Sequence, residues 1–193
     1  MANASTTGFG FRPIKMVGQG YNNETFSEYS VAASSALISH HDLCILTADG
    51  VILTAANGGA NNIGVLNGVF YTDATTSKPT WSNYSPASNT ATDIVAFIAD
   101  NPKQMFEVMS ADTAFNQNEV GECADQVLAA GTTPLFISKS KISATTATTL
   151  AQLFILGVSK DPDHSDTSEE GFSLRVQIRE HILIGNDTAR AGV

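Results

Sequence analysis

Cysteine is nearly absent: Cys44 and Cys123 are the two in 193 residues. They stand too far apart for a C-x-x-C motif. That excludes a zinc ribbon, a dithiol redox centre and a disulfide-dense scaffold. Both read as small buried apolar residues. Basic residues are also scarce. Ten Lys and Arg face nineteen Asp and Glu, for a net charge of −9. The cations are scattered singly, with no basic stripe. Such a chain repels phosphate backbones, so direct nucleic-acid binding is not expected. No run approaches the ~20 apolar residues of a membrane-spanning helix. The opening "MANASTTGFGFRP" carries no basic start and no apolar stretch, so folding in a cytoplasm is expected. The N-x-S/T triplets at Asn3, Asn23, Asn83 and Asn186 then follow from an Asn- and Thr-rich composition.

What remains is a folded composition: 42% apolar and only 15% charged residues. The uncharged polar share is rich in Ser, Thr and Asn, which suit strand faces and turns over long helices. A chain of this length buries ~70% of its unfolded surface, so its core needs neither disulfide nor metal.

Read along the chain, strands dominate. "DLCILTADGVILTAA" places two β-branched runs around Asp49-Gly50, which predicts a hairpin with a two-residue type I′ turn. "IGVLNGVFYT" reads as a strand interrupted by Gly64 and Gly68, which mark a bulge or a close backbone approach. "GGANNIG" lacks the Lys-Ser/Thr ending of a phosphate loop. "TTSKPTW" turns at Pro79 into a strand at Trp81. "DIVAFIADNPKQMFEVMS" predicts a second hairpin turning at Asp100-Asn101-Pro102. "NEVGECADQVLAAGTT" is the best helix candidate, over 119–130, with Val120, Ala124, Val127 and Leu128 at helical spacing. "TTPLFISKSKIS" and "TTLAQLFILGVSKD" read as strands. In "GFSLRVQIREHILIG", Phe172, Leu174, Val176, Ile178, Ile182 and Ile184 share one face. Arg175, Gln177, Arg179 and His181 take the other, which predicts a half-buried antiparallel strand.

The expected fold is therefore all-β. It is an antiparallel jelly roll, β-sandwich or barrel with little helix. Residues 1–13 read as an extended N-terminal arm and residues 14–193 as a single β domain. In the arm, "GFGFRP" sets Phe9 and Phe11 around a glycine. Two readings stand: the arm lies across a neighbouring molecule, or its aromatics fold back onto their own core.

The densest cluster of candidate ligands is "DPDHSDTSEEG", Asp161 to Gly171. A helix–loop–helix calcium site needs glycine at loop position 6 and a bidentate Glu at 12. Counted from Asp161, those places hold Asp166 and Phe172, and the flanks read as strands. A solvated hairpin loop is the favoured reading. His40 and His41 are adjacent, and neighbours on a strand point to opposite faces, so they are poorly placed to share an ion. His181 falls on the polar face of the last strand. No G-x-S-x-G, H-E-x-x-H or dinucleotide fingerprint occurs. No catalytic residue, metal or cofactor is assigned, and the chain is read as not an enzyme. A hydrolase built on His40, His41 and His181 is the weakest alternative.

The order of the pieces resembles a family. "GFGFRP", the "ADG" hairpin, "IGVLNGVFYTDATTSKPTWSNYSPAS", "DIVAFIADNPKQMFEVMS" and "LFILGVSKDPD…SLRVQIREHIL" look like capsid decoration (cement) proteins of tailed bacteriophages, the podophage type above all. The likeness spans most of 8–110 and 150–184 and loosens over 111–149. There the family runs extended, which opposes the helix over 119–130. The resemblance implies a structural virion protein, made in the host cytoplasm, that sits on the outer surface of an icosahedral head. Its implied partners are the major capsid protein and itself, as a homotrimer, with no nucleic acid and no membrane. Phe9, Phe11 and Arg12 would make capsid or subunit contacts, with Trp81 and Tyr84 as further candidates. The alternative is a carbohydrate- or receptor-binding module, lectin-like or from a head fibre, in which Trp81 and Tyr84 of "TWSNYS" stack on sugar rings.

Overall fold

Short β-branched runs punctuated by turns give twelve strands among the described residues. The computed structural model describes residues 3–18, 26–147 and 151–184. The strands are β1 (Arg12–Met16), β2 (Ser27–Val31), β3 (Leu43–Leu46), β4 (Val51–Thr54), β5 (Asn62–Thr72) and β6 (Pro79–Ser82), followed by β7 (Val95–Ala99), β8 (Gln104–Met109), β9 (Cys123–Val127), β10 (Lys141–Ala147), β11 (Leu153–Val158) and β12 (Ser173–Ile178). They form two packed sheets, as the all-β expectation required. The first, in the order β1-β8-β12-β11-β9-β10, is antiparallel throughout. The second runs β3-β4-β2-β7-β5-β6, with one parallel pair, β2 with β4.

The second sheet also curls onto itself. The first half of β5 pairs with β3, as Leu43 opposite Val65 and Cys44 opposite Gly64. Its second half pairs with β6 along the same side, and β7 takes the other side. Strands β3, β4, β2, β7 and β5 therefore close a ring. Closure explains why β3 is apolar on both faces. Cys44, with Ile52, Leu66, Val69, Ala96 and Ile98, fills the ring interior. Leu43 turns outward and joins Phe11, Val65, Phe106, Leu153, Leu174 and Val176 in the core between the sheets. Cys44 and Cys123 are both buried and form no disulfide.

Several expectations need correction. The Asp49-Gly50 hairpin is present, but its loop has three residues. Gly50 N donates to Thr47 O at 3.0 Å and Thr47 N to Val51 O at 2.9 Å. Gly50 alone has positive φ, at 74°. That is a type I turn closed by a left-handed glycine, a standard hairpin solution. The turn at Asp100-Asn101-Pro102 is also present, yet β7 and β8 lie in different sheets. It is a corner between layers, not a hairpin. The helix over 119–130 is absent. Gln117–Glu119 make one short 3-10 turn, and Cys123–Val127 form β9, held between β11 and β10. Pairing on both sides overrides the weak helical spacing. The stretch before Lys141 makes only an isolated bridge, Ile137 with His40, in place of the predicted strand. The last strand ends at Ile178, and Ile182–Ile184 are a 3-10 turn. Gly64 and Gly68 do mark close approaches, and the β5–β7 register shifts between Leu66 and Gly68.

One side chain joins the sheets where no strand does. Gln152 precedes β11 and is fully buried. Its Oε1 accepts from Gly58 N (2.9 Å) and Gln126 N (3.1 Å). Its Nε2 reaches Ala56 O (3.0 Å), Gly59 O (3.1 Å) and Asn62 Oδ1 (3.2 Å). Its own carbonyl accepts from Arg179 N at 2.8 Å. The amide thus ties the 55–61 loop of the second sheet to β9, β11 and the end of β12. Removing it strands several buried backbone groups, each worth about 1–3 kcal/mol. Gln152→Ala is expected to lower unfolding free energy by about 3 kcal/mol in urea. Gln152→Glu should cost more, because a carboxylate would face three acceptors; an unchanged midpoint for either variant would refute the assignment.

Candidate binding surface

The arm is built into the body. Asn3 inserts its amide into the 161–171 loop. Nδ2 donates to Asp166 O (2.9 Å), Glu169 O (3.3 Å) and Glu170 O (2.9 Å), and Oδ1 accepts from Asp166 N (3.1 Å). Ala4 N donates to Asp163 O at 2.9 Å. Gly8 and Gly10 then pass so close to 138–140 that a Cβ at Gly10 would stand 2.6 Å from both His41 O and Ser138 Cβ. Phe11 N donates to His41 O, and the Phe11 ring is buried in the inter-sheet core. Of the two readings of the arm, residues 3–11 follow the fold-back one, and Arg12 and Pro13 already belong to β1.

That placement takes Phe11 off the surface and half-buries Phe9. The Phe9 ring lies under the Arg12 guanidinium (4.9 Å) and beside His164 (5.9 Å). Arg12 itself pairs with Glu107 and reaches Asp161 Oδ2 at 3.3 Å. Glu107 is buried on β8. Burial alone raises its pKa, but donation from Ser159, Arg12 and Ser173 outweighs this and sets it below its usual value. The charge sites of "RP" and "DPD" therefore serve to lock the first strand.

The acidic loop joins β11 to β12 as a hairpin, as expected. Its work is less passive than a wet loop implies. Its backbone carbonyls and amides hold Asn3 and Ala4, and His164 Nδ1–H donates to Gly171 O at 2.9 Å. Among the described residues no group of three or more His, Cys, Asp or Glu converges.

The histidines also depart from expectation. His41 has φ 66°, which breaks the strand alternation. His40 and His41 therefore stack at 3.9 Å instead of pointing apart. His181 is fully buried, because the strand has ended before it; its Nδ1 accepts from Leu183 N at 3.2 Å. Burial lowers the pKa of His41 to about 4, aided by the neighbouring His40 and Arg12 charges, while a hydrogen bond with the Phe9 backbone opposes. Burial lowers His40 and His181 in the same sense.

The outward face of the second sheet presents rings to solvent. Trp81 on β6 stands opposite Phe70 on β5, which stands opposite Val95 on β7. Trp81 is 53% exposed and Phe70 44%. The Trp81 indole leans across Gly68 onto Phe97, with ring centroids 5.1 Å apart. A Cβ at position 68 would stand 2.5 Å from Trp81 Cζ2, so only glycine leaves that seat open. Beyond β6, Asn83 Nδ2 donates to Leu135 O, and Leu135 is 60% exposed. Tyr84 is half-buried and stacks on Phe136 at 4.2 Å. Trp81 and Tyr84 thus have different ring partners. Sequence reasoning found Trp81 but missed Phe70, Phe97 and Leu135. The signal for Phe70 and Phe97 was their alternation with Val69 and Ala96, which point inward.

No family model, no curated protein and no solved structure matches the chain.

Two expectations follow. His41 is neutral in the fold, so its contribution to stability is complete above its ordinary value of 6.5 and declines as pH falls toward about 4. Asn tolerates positive φ. His41→Asn should therefore remove about one proton from the pH slope of unfolding free energy in that window, measured by urea titration across pH. Gly68→Ala should push the indole off Phe97. Trp81 is the sole tryptophan, so the shift reads directly as a red-moved emission maximum; unaltered emission would contradict the geometry.

Proposed function

We propose that the chain is a structural binding protein that docks on the outside of an icosahedral phage head and stabilises contacts between major capsid protein subunits, acting as a homotrimer. The observation that carries this reading is the platform of two exposed rings, Phe70 and Trp81, the second backed by the half-buried Phe97, on a firmly paired sheet. Large exposed aromatic surface on a rigid scaffold suits docking to another protein. The acidic body suits an exterior position, away from packaged nucleic acid. The order of sequence pieces that resembles decoration proteins supplies the kind of partner. Within this reading the contact moves from the arm, which serves the fold, to the platform, with Trp81 retained and Phe9, Phe11 and Arg12 released. Many copies on one lattice reinforce individually weak contacts.

A sugar-binding reading keeps only Trp81, because Tyr84 is stacked on Phe136 and does not join the indole in one clamp. It is the lesser reading, and a glycan array tests it.

Binding is measured by co-sedimentation with undecorated phage heads. The wild-type chain is expected to saturate them. Phe70→Thr combined with Trp81→Thr replaces exposed rings by good strand formers and should weaken binding by about 100-fold, as loss of a central aromatic anchor does. Full occupancy by this variant would discard the platform, and no binding by the wild type would discard the head-decoration reading.

A further inference from the structure

The arm is tied to the body at its two ends. Ala4 N donates to Asp163 O at 2.9 Å, and the next main-chain bond to the body is Phe11 N to His41 O, also 2.9 Å. Between these two the main chain makes no bond to the body among the described residues. Residues 4–7 are exposed, and Gly8 and Gly10 rest against 138–140. Gly10 has φ 74°, which glycine adopts without steric cost. It stands between the arm and Phe11, whose ring is fixed in the inter-sheet core. A segment with so few ties opens more readily than the strands that follow it.

An imidazole lies beneath the arm. His41 is held at φ 66°, an uncommon setting for a residue with a side chain. That setting stacks its ring on His40 at 3.9 Å. A Cβ at Gly10 would stand 3.0 Å from His41 Cβ, and the His41 ring hydrogen-bonds to the Phe9 backbone. Residues 9 and 10 therefore cover it. The charges acting on it are cationic: His40 in the stack and Arg12 from β1. Nearby carboxylates are engaged elsewhere. Glu107 and Asp161 hold Arg12, and Asp42 Oδ2 accepts from Ser39 N at 2.7 Å. The 138–140 segment brings Ser138 to the same spot, and the β11–β12 loop brings His164 to the Phe9 ring. A proton added to His41 thus meets like charge at contact distance, where water screens it poorly.

We propose that residues 3–10 are an acid-released latch, in which protonation of His41 between His40 and Arg12 lifts the arm about Gly10 while Phe11 and β1 stay seated. Under the arm, His41 gains its proton only near pH 4, whereas in water it does so near 6.5. The lifted state therefore binds the proton more tightly, and falling pH favours it. Linkage raises the opening equilibrium roughly 50- to 100-fold between about pH 7.5 and about pH 4.5. The other ties at this end outlast that change. Burial raises the pKa of Glu107, but donation from Ser159, Arg12 and Ser173 holds it below its usual value. Donation from Ser168 keeps Asp166 at about 2. The latch is independent of the ring platform and of the head-decoration reading.

Amide hydrogen exchange on the full chain, read by NMR and corrected for intrinsic rates, tests the latch. Ala4 N–H reports the arm. Phe11 N–H and Val176 N–H report the core, Val176 being paired on both sides by β11 and β8. From about pH 7.5 to about pH 4.5 the protection of Ala4 should fall roughly 50- to 100-fold while both core amides keep theirs. Opening at Ala4 should follow the same curve as titration of the His41 ring resonances. His41→Asn tolerates the positive φ and has no proton to gain, so its Ala4 protection should change less than about twofold. If that variant does not fold, agreement of the two wild-type curves decides. Ala4 protection that is equal at both pH values, absent already at the higher one, lost together with Val176, or as acid-sensitive in His41→Asn would each overturn the proposal. So would a His41 titration that does not coincide with opening.

Discussion

The buried amide of Gln152 is the constraint on which the rest of the architecture depends. Two sheets packed by apolar contact alone slide easily, because dispersion and burial are not directional. Gln152 adds direction. It accepts from the amides of Gly58 and Gln126 and donates toward the 56–62 segment, so the loop between β4 and β5 has one seat against β9 and β11. Gln126 repeats the tie, donating from Nε2 to Ala55 O at 2.5 Å, and Asn62 donates to Glu180 O at 3.3 Å. A buried polar knot of this kind, in which the Gln152 amide meets partners at both ends, specifies one arrangement of the layers. It also fixes the main chain just after β12, where Arg179 N donates to the Gln152 carbonyl.

A second set of contacts closes the other end of the first sheet. The buried carboxylate of Glu107 collects Arg12, Ser159 and Ser173, and these come from β1, from the end of β11 and from β12. The arm that leads into β1 is covered by the loop that joins β11 and β12. The leading peptide, which in sequence reads equally as a tether to another molecule, is thus consumed in making the body rigid. Rigidity has a use at the opposite face. The platform strands are fixed by pairing and the indole is seated over a glycine, so under the proposed docking role a partner bound there would cost little side-chain freedom.

Period-two patterning made much of the fold legible. The run Leu43 to Leu46 gave a strand, the alternation Phe172 to Ile178 gave a strand with its buried face correct, and Asp49-Gly50 gave the turn position. What local pattern could not carry was which layer a strand enters. Asp100-Asn101-Pro102 announces a turn, but a tight hairpin and a corner between sheets share that chemistry. Val120, Ala124 and Val127 fit a helical stripe, while Cys123, Ala124 and Gln126 are the residues β9 buries. The site was legible where polarity and position disagreed with a buried role, as for Trp81 beside Ser82 and Asn83. Phe70 and Phe97 sit in runs whose apolar character is uniform, so ring closure is needed to know which face is wet. The buried roles of Gln152, Arg179 and His181 had no local signal, because their partners lie elsewhere in the chain.

The clasp around Asn3 has a consequence for biosynthesis. Asn3 and Asp166 are 163 positions apart. At translation speeds of roughly 5–20 residues per second, the peptide around Asn3 waits on the order of 10 s for the loop that will hold it. β1 waits as well, for its neighbours on β8 and the carboxylate beneath Arg12. The first sheet therefore cannot be finished before β12 and the loop ahead of it have been made, and the residues around Asn3 spend that interval without the partners that later hold them.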